Sequence, residues 1–172
     1  MEILKVIRDE DFGLTTESEI TQKREASRAV VFDAEGKVAL LHVTKKNYHK
    51  LPGGGIDEGE SIEAALEREL LEEIGCKVGS VKELGVVEEF RGKFDLHQTS
   101  CCFVSDVLGE KGTAHLEQGE IDDGFEQIWM PLEEAIKTLE SERTVEDYEG
   151  KFIVLRDVTF LKEAHRLFSH HD

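Results

Sequence analysis

The 172-residue sequence predicts one α/β domain, a mixed β-sheet covered by helices in an α/β/α layered arrangement. Three observations lead there. Apolar segments of strand length outnumber helical patterns, which puts a sheet at the centre. A hairpin over residues 27–43 is followed by a strand–helix–strand unit built around residues 61–75, and that mixture of connections gives a mixed sheet. Apolar residues also recur at helical spacing over 61–75 and 151–168, so helices with one apolar face are available to cover the sheet. No internal repeat, low-complexity tract or second domain interrupts residues 1–172.

The elements follow in order. Glu2 to Arg8 reads as an edge strand opening an N-terminal extension, residues 1–25, which continues through a polar connection at Thr15, Thr16 and Ser18. The residues leave open whether this extension makes a dimer contact or a lid instead. Ser27 to Phe32 (SRAVVF) is a buried strand, Asp33 to Gly36 a turn, and Lys37 to Val43 (KVALLHV) the returning strand. Tyr48 to Leu51 leads into a glycine loop at Pro52 to Gly55. Ser61 is the expected N-cap and Gly75 the expected stop of a helix whose Ile62, Leu66, Leu70 and Ile74 form an apolar stripe. Cys76 to Phe90 gives one or two strands broken at Gly79 and Gly85, and Phe94 to Val107 gives a long one. Leu108 to Gly124 is a polar loop, and Phe125 to Met130 the last strand. Pro131 starts a helix to about Leu139, at a favoured first-turn position. After an acidic connection, Lys151 to Phe168 reads as an amphipathic C-terminal helix.

With 39% hydrophobic and 34% charged residues the chain has the balance of a soluble globular protein. At this length it buries roughly 70% of its unfolded surface. The net charge of −17 argues against binding along a nucleic-acid backbone, which needs a basic face. Cys76, Cys101 and Cys102 have the spacing of neither a disulfide framework nor a zinc site, and read as core or near-core thiols. The N-terminal segment MEILKVIRDEDF lacks the apolar run of a signal peptide, and no membrane-length apolar segment follows. No membrane partner is expected, and a reducing cytoplasm is the expected compartment.

The helix after the glycine loop carries an electrostatic problem. At about 100° per residue, Glu69 and Glu73 lie about 40° apart and Glu72 about 60° from Glu69 on the other side. Like charges at these spacings each cost a few tenths of a kcal/mol, and more beside an apolar core. Carboxylates so crowded hold protons or take a cation, and hard oxygen donors suit Mg²⁺. A Glu-rich helix can equally be a solvated face. The Pro-Gly-Gly-Gly turn, which permits close backbone approach, and a fourth carboxylate at Glu60 favour a site. Arg68, the basic residue of the segment, can hold one carboxylate by a bidentate contact.

Gly54, five residues, Glu60, seven residues, then Arg68-Glu69-Leu70-Leu71-Glu72-Glu73-Ile74-Gly75-Cys76 resembles the Nudix box, Gx5Ex7REUxEExGU, of the Nudix hydrolase family, the MutT-like pyrophosphohydrolases. Every fixed position matches. The final aliphatic position departs, with Cys76 there, and a buried cysteine packs as a small apolar residue. The resemblance implies the layered α/β/α fold already read from the pattern. It also implies divalent-metal-dependent hydrolysis, with Mg²⁺ or Mn²⁺, of a nucleoside diphosphate linked to another group. By the same resemblance Glu69 and Glu73 are the principal metal ligands, Glu72 a direct or water-bridged third, and Gly53 a donor through its carbonyl. Glu60 adds negative field at a second metal and Arg68 orients a helix carboxylate.

In this family the general base often lies in a loop before the last strand. Here that loop supplies Glu117, Glu120, Asp122 and Asp123, of which Glu120 is favoured and Glu117 next. Lys45, Lys46 and Lys50, just before the glycine loop, are candidates to meet distal phosphates. Phe90, Arg91, Lys93 and Phe94 could line a cleft or form a solvated hairpin tip. His97 and His115 read as surface histidines and Trp129 as packing at a strand end. The expected substrate is a small nucleotide, foremost a (deoxy)nucleoside triphosphate. A dinucleoside polyphosphate or nucleotide sugar is the alternative, as is a non-catalytic nucleotide sensor, although sensors usually lose box carboxylates. The motifs of the coenzyme A, NADH and ADP-ribose branches are absent; no proline follows the box until Pro131.

Overall fold

Strands β2 (Gln22–Phe32) and β3 (Lys37–Val43) form the sheet's centre because their apolar runs have core on both faces. In the computed structural model, which describes residues 1–16 and 19–168, Ala29, Val31, Ala39 and Leu41 point to one side and Val30, Val38 and Leu40 to the other. Burial on both faces explains why these strands read as continuous apolar runs rather than alternating ones.

The first face is covered by α1 (Ile62–Ile74), whose Leu66, Leu70 and Ile74 pack with Cys76 and Phe103. Each such leucine contributes about 1.5–3 kcal/mol relative to exposure. The helix is bounded as its sequence predicts: the Ser61 Oγ accepts from the Ala64 N–H at 3.1 Å, and Gly75 adopts φ +64°. The second face is covered by α4 (Tyr148–Phe168), through Phe152, Val154, Val158 and Leu161, with α3 (Leu132–Ser141) beside it. The layers are α/β/α and the sheet is mixed.

The remaining strands are β1 (Ile3–Arg8), β4 (Tyr48–Lys50), β5 (Gly53–Gly55), β6 (Lys77–Val78), β7 (Lys82–Arg91), β8 (Leu96–Leu108) and β9 (Phe125–Pro131). The main order is β1-β7-β8-β2-β3-β4, with β1 at an edge as expected. β1 runs parallel to β7 and β2 parallel to β8; the other pairings are antiparallel. Strand β9 pairs along the whole of β3, and β5 pairs with Ala26–Arg28 of β2.

Several boundaries differ from the sequence reading. β2 starts at Gln22 rather than Ser27: residues 22–25 are exposed and polar, and their pairing with Leu96–Thr99 of β8 holds them extended. Residues 76–90 give two strands, parted near Gly79, while Gly85 marks a bulge within β7. Pro131 ends β9 and caps α3 with ψ 146°, so it precedes the first turn instead of occupying it. The polar loop contains a short helix, α2 (Gln118–Asp122), and α4 begins three residues before Lys151. Residues 9–12 form a single 3₁₀ turn. Ser18 of the expected polar connection lies outside the described residues. Cys76 and Cys102 are buried and Cys101 half-buried, all as free thiols.

Candidate active site

The glycine loop is held at three points. The Leu51 N–H donates to Asp157 Oδ2 of α4 at 2.8 Å. The Gly53 carbonyl accepts from Arg28 Nη1 at 2.8 Å, and the Gly53 N–H donates to Glu73 Oε2 at 2.8 Å. Gly53 has φ +135°, and a Cβ there would sit 2.7 Å from Arg28 Cα and closer still to the Ser27 carbonyl. Only glycine fits that lattice of β5 against β2. At Gly54 a Cβ would overlap the Glu69 carboxylate, so that side chain lies directly on the loop backbone.

Arg68 gathers the acids around the loop. Its Nε and Nη2 each donate to Glu60, both at 2.9 Å, in a bidentate pair. Its Nη1 reaches Glu69 Oε1 at 2.9 Å and Glu72 Oε2 at 3.5 Å, and Nη2 also meets the Gly55 carbonyl at 3.1 Å. The hydrogen bonds from Arg68 hold the Glu60 carboxyl down at about 2. Glu60 therefore spends both oxygens on Arg68.

Glu73 sits at the centre, 2% exposed. The Glu120 carboxyl, carried by α2, and the Glu69 carboxyl both lie close enough to Glu73 to raise it. Burial raises the Glu73 carboxyl well above the ordinary range; the nearby Lys50 ammonium and the Gly53 N–H pull the other way, while Glu120 and Glu69 add to the rise. Lys50 is itself lowered by burial. Glu72, nearer solvent, is raised by burial and by Glu69. Carboxyl groups crowded this closely share a proton or take a cation. The loop reaches this position because His115 N–H donates to the Glu72 carbonyl at 2.7 Å and Gly112 N–H to that of Gly75 at 2.9 Å. The end of α2 is fixed by reciprocal capping, with Glu117 N–H donating to Glu120 Oε1 at 2.8 Å.

A NUDIX domain family model matches residues 22–150, three-quarters of the chain. The chain belongs to the Nudix family. Among Nudix relatives, Nudix hydrolase 13, mitochondrial, of Arabidopsis thaliana is 32% identical over 124 residues, covering 67% of this chain and 60% of that protein. An RNA pyrophosphohydrolase of Sulfurovum is 56% identical over 101 residues, covering 52% of this chain and 62% of that one. The chain thus spans about three-fifths of the length of these curated relatives. A Nudix hydrolase from Nitrosomonas europaea shares the fold with a TM-score of 0.63 at 18% identity, over 84% of this chain and 90% of that one. A MutT Nudix hydrolase from Burkholderia pseudomallei does so with a TM-score of 0.55 at 23% identity, over 66% and 86%.

Nudix hydrolases use divalent cations, and the donors gathered here fit one. All are carboxylate or carbonyl oxygens, the hard ligands that Mg²⁺ and Mn²⁺ prefer. Among the described residues no three acid, histidine or cysteine side chains form a finished cage. Arg68 draws Glu69 aside and the Gly53 N–H holds Glu73. Mg²⁺ sites of this kind take one or two carboxylates and complete their shell with water and substrate phosphates.

Other expected residues lie elsewhere in the Nudix fold. Arg91 is 2% exposed and paired with Glu89 at 2.9 Å and Glu149 at 3.2 Å, so it is a buried ion-pair member and lines no cleft. Phe90 has its faces taken by neighbours on the two flanking strands, stacked on His97 at 4.2 Å with the Arg8 guanidinium at 4.1 Å. No face is left for a base. Lys46 pairs with Asp123 at 3.3 Å, and Asp122 accepts from Gln118. Lys93 and Phe94 meet Tyr148, and Lys93 lines a pocket of about 450 Å³ with Asp9 and Thr16. Glu117 and His115 are exposed, and Trp129 packs beside α1 under the Lys111 ammonium at 3.8 Å.

Sequence reasoning missed the residues behind the loop. Arg28, Arg156, Asp157, Glu89 and Gln98 are buried polar groups, linked chiefly by hydrogen bonds among themselves and to Arg24 and the loop. Arg28 inside a buried strand and the Arg156-Asp157 pair within the apolar stretch of α4 were the available signals. A pocket of about 590 Å³ beside the loop, lined by Lys23, Arg24, Ile56, Glu58 and His97, was also unforeseen, and it gives His97 a more interesting position than a plain surface. No described helix is long and apolar enough to cross a membrane.

Proposed function

We propose that this protein hydrolyses a phosphoanhydride bond in a nucleoside diphosphate-linked substrate, foremost a (deoxy)nucleoside triphosphate, with a divalent cation. One observation carries the reading: Glu73, buried and close to Glu120 and Glu69, at a glycine loop on whose backbone the Glu69 carboxylate lies directly. Glu69, Glu73 and, directly or through water, Glu72 would hold the cation, with the Gly53 carbonyl as a further donor beside its bond to Arg28. When bound, the cation supplies charge neutralisation at the phosphate oxygens and a more acidic water.

The chain's own residues do the rest. Arg68 fixes Glu69 and ties the loop to the helix through Glu60 and the Gly55 carbonyl. Lys50 offsets the buried charge of Glu73. Glu120 takes the proton of the attacking water, a role supported by its position on α2 near Glu73. Lys23 and Arg24 in the adjoining pocket meet phosphate oxygens.

A second substrate, the 5′-triphosphate end of an RNA, is favoured by the likeness to relatives described as RNA pyrophosphohydrolases. With a net charge of −17 the protein would grip the terminus and not the strand, which keeps to the expectation of no general nucleic-acid binding. The experiment is product analysis with Mg²⁺ or Mn²⁺ on nucleoside triphosphates, dinucleoside polyphosphates, nucleotide sugars and a 5′-triphosphorylated oligoribonucleotide. Release of phosphate or pyrophosphate from one of them is expected; no turnover of any would return the protein to the sensor class.

A further inference from the structure

We propose that Asp157, on the C-terminal helix, is a positioning residue that sets the cation affinity of the site by fixing the glycine loop from behind. The inference rests on the reading of Glu73 as a cation ligand. Asp157 is fully buried, and its hydrogen bonds go to Leu51 and Arg156 rather than to the clustered carboxylates. Its Oδ2 accepts the Leu51 N–H at 2.8 Å, across 106 residues of sequence. Both its oxygens also accept from Arg156, Nε to Oδ1 at 2.7 Å and Nη2 to Oδ2 at 3.1 Å. Arg156 in turn reaches Glu89 on the sheet at 3.5 Å.

This arrangement is costly as a stability device. Each buried ion carries a desolvation penalty of about several kcal/mol, and apolar residues of similar volume would often serve as well. What apolar residues cannot do is accept the Leu51 N–H and fix its direction. Two residues further on, Gly53 donates its own N–H to Glu73 and gives its carbonyl to Arg28, each at 2.8 Å. The loop is therefore pinned at Leu51 by Asp157 and at Gly53 by Arg28, and the direction of the Gly53 N–H fixes one oxygen of Glu73. Since the other Glu73 oxygen is what remains for a cation, a rotation of the loop at Leu51 is passed on to the ligand. Loosening the hydrogen-bond partners of ligating groups typically costs about 10–100-fold in metal affinity.

The test uses the full chain and Mn²⁺ alone, followed by water proton relaxation without substrate, well below the unfolding temperature. Asp157→Asn keeps the shape of the side chain but leaves one acceptor oxygen to serve both Arg156 and Leu51. The expected result is Mn²⁺ binding weakened by about tenfold, with kcat lowered and KM for the nucleotide unchanged. A merely structural role would lower the unfolding temperature and leave the Mn²⁺ affinity of the folded protein at the wild-type value, and that outcome overturns the proposal. Glu73→Gln is measured alongside: if it also binds Mn²⁺ like wild type, the reading of the site itself fails, whatever Asp157 does. Should Asp157→Asn not fold, amide hydrogen exchange on the wild-type protein decides. Leu51 and Gly53 N–H are expected to be strongly protected and to slow further with Mn²⁺; rapid exchange at Leu51 overturns the proposal.

Discussion

Gly53→Ala should unlatch the loop while leaving every side chain of the site in place. Gly53 sits at φ +135°, and a residue with a Cβ held there costs about 1–3 kcal/mol in backbone strain. The Cβ would also press on the Ser27 carbonyl and on Arg28 Cα at 2.7 Å. Both are backbone atoms of a central strand, so relief requires β5 to part from β2, at a cost of about 1–3 kcal/mol typical of overpacking. The total of about 2–6 kcal/mol is a large share of the roughly 5–15 kcal/mol that holds a domain together. Displacing Gly53 also takes its N–H from Glu73, so turnover should fall at least tenfold beyond any loss of folded protein. Gly59→Ala is the control: φ is +79° and nothing lies within 4 Å of the added Cβ, so it should cost about 1–2 kcal/mol and spare activity. Urea unfolding gives the first quantity and nucleotide hydrolysis with Mg²⁺ the second. A Gly53→Ala protein with the wild-type urea midpoint and wild-type turnover would refute the reasoning.

Glu120→Gln should slow hydrolysis by about 10²-fold or more with Mn²⁺ affinity little changed; if Glu117→Gln does this instead, the proton acceptor has been misplaced. Leu70→Ala, at a fully buried position of α1, should lower stability by about 2–5 kcal/mol in urea unfolding. Glu60 makes stability depend on acid. Its folded value of about 2 lies below the ordinary carboxylate value of about 4.3, so the stabilisation is present above about pH 4.3 and lost as pH falls towards 2. Melting temperatures across that range should fall less in Glu60→Gln than in wild type, and equal slopes would count against the Arg68 pair.

The parts of this structure legible in the sequence are those decided locally. The stripe of α1, its Ser61 cap and Gly75 stop depend on neighbours within one turn, and they stand where the pattern puts them. The same is true of the two-sided burial of β2 and β3. β5 has no strand signature in the sequence because three glycines have no side-chain pattern, and its strand character comes entirely from β2. The ends of β2 and β8 are polar and keep their shape through each other. Arg91, open in the sequence between a cleft and a solvated hairpin tip, is buried instead: Glu89 stands two residues away on the same strand face, but its other partner, Glu149 on α4, has no local signature. The Leu51–Asp157 contact joins residues 106 apart and so has no local signature. Within the site, the box pattern placed Glu69, Glu72, Glu73, Glu60 and Arg68 on one side of the loop, and Glu120 reaches them only because α2 is folded back by His115 and Gly112.

The central claim is that the buried carboxylates at the glycine loop hold a divalent cation for hydrolysis. Mn²⁺ titration of Glu73→Gln, alongside its turnover and far-ultraviolet circular dichroism, tests it most directly. The account predicts a folded protein with Mn²⁺ affinity reduced and hydrolysis lowered by orders of magnitude. A folded Glu73→Gln protein that binds Mn²⁺ and turns over substrate at the wild-type rate would contradict it.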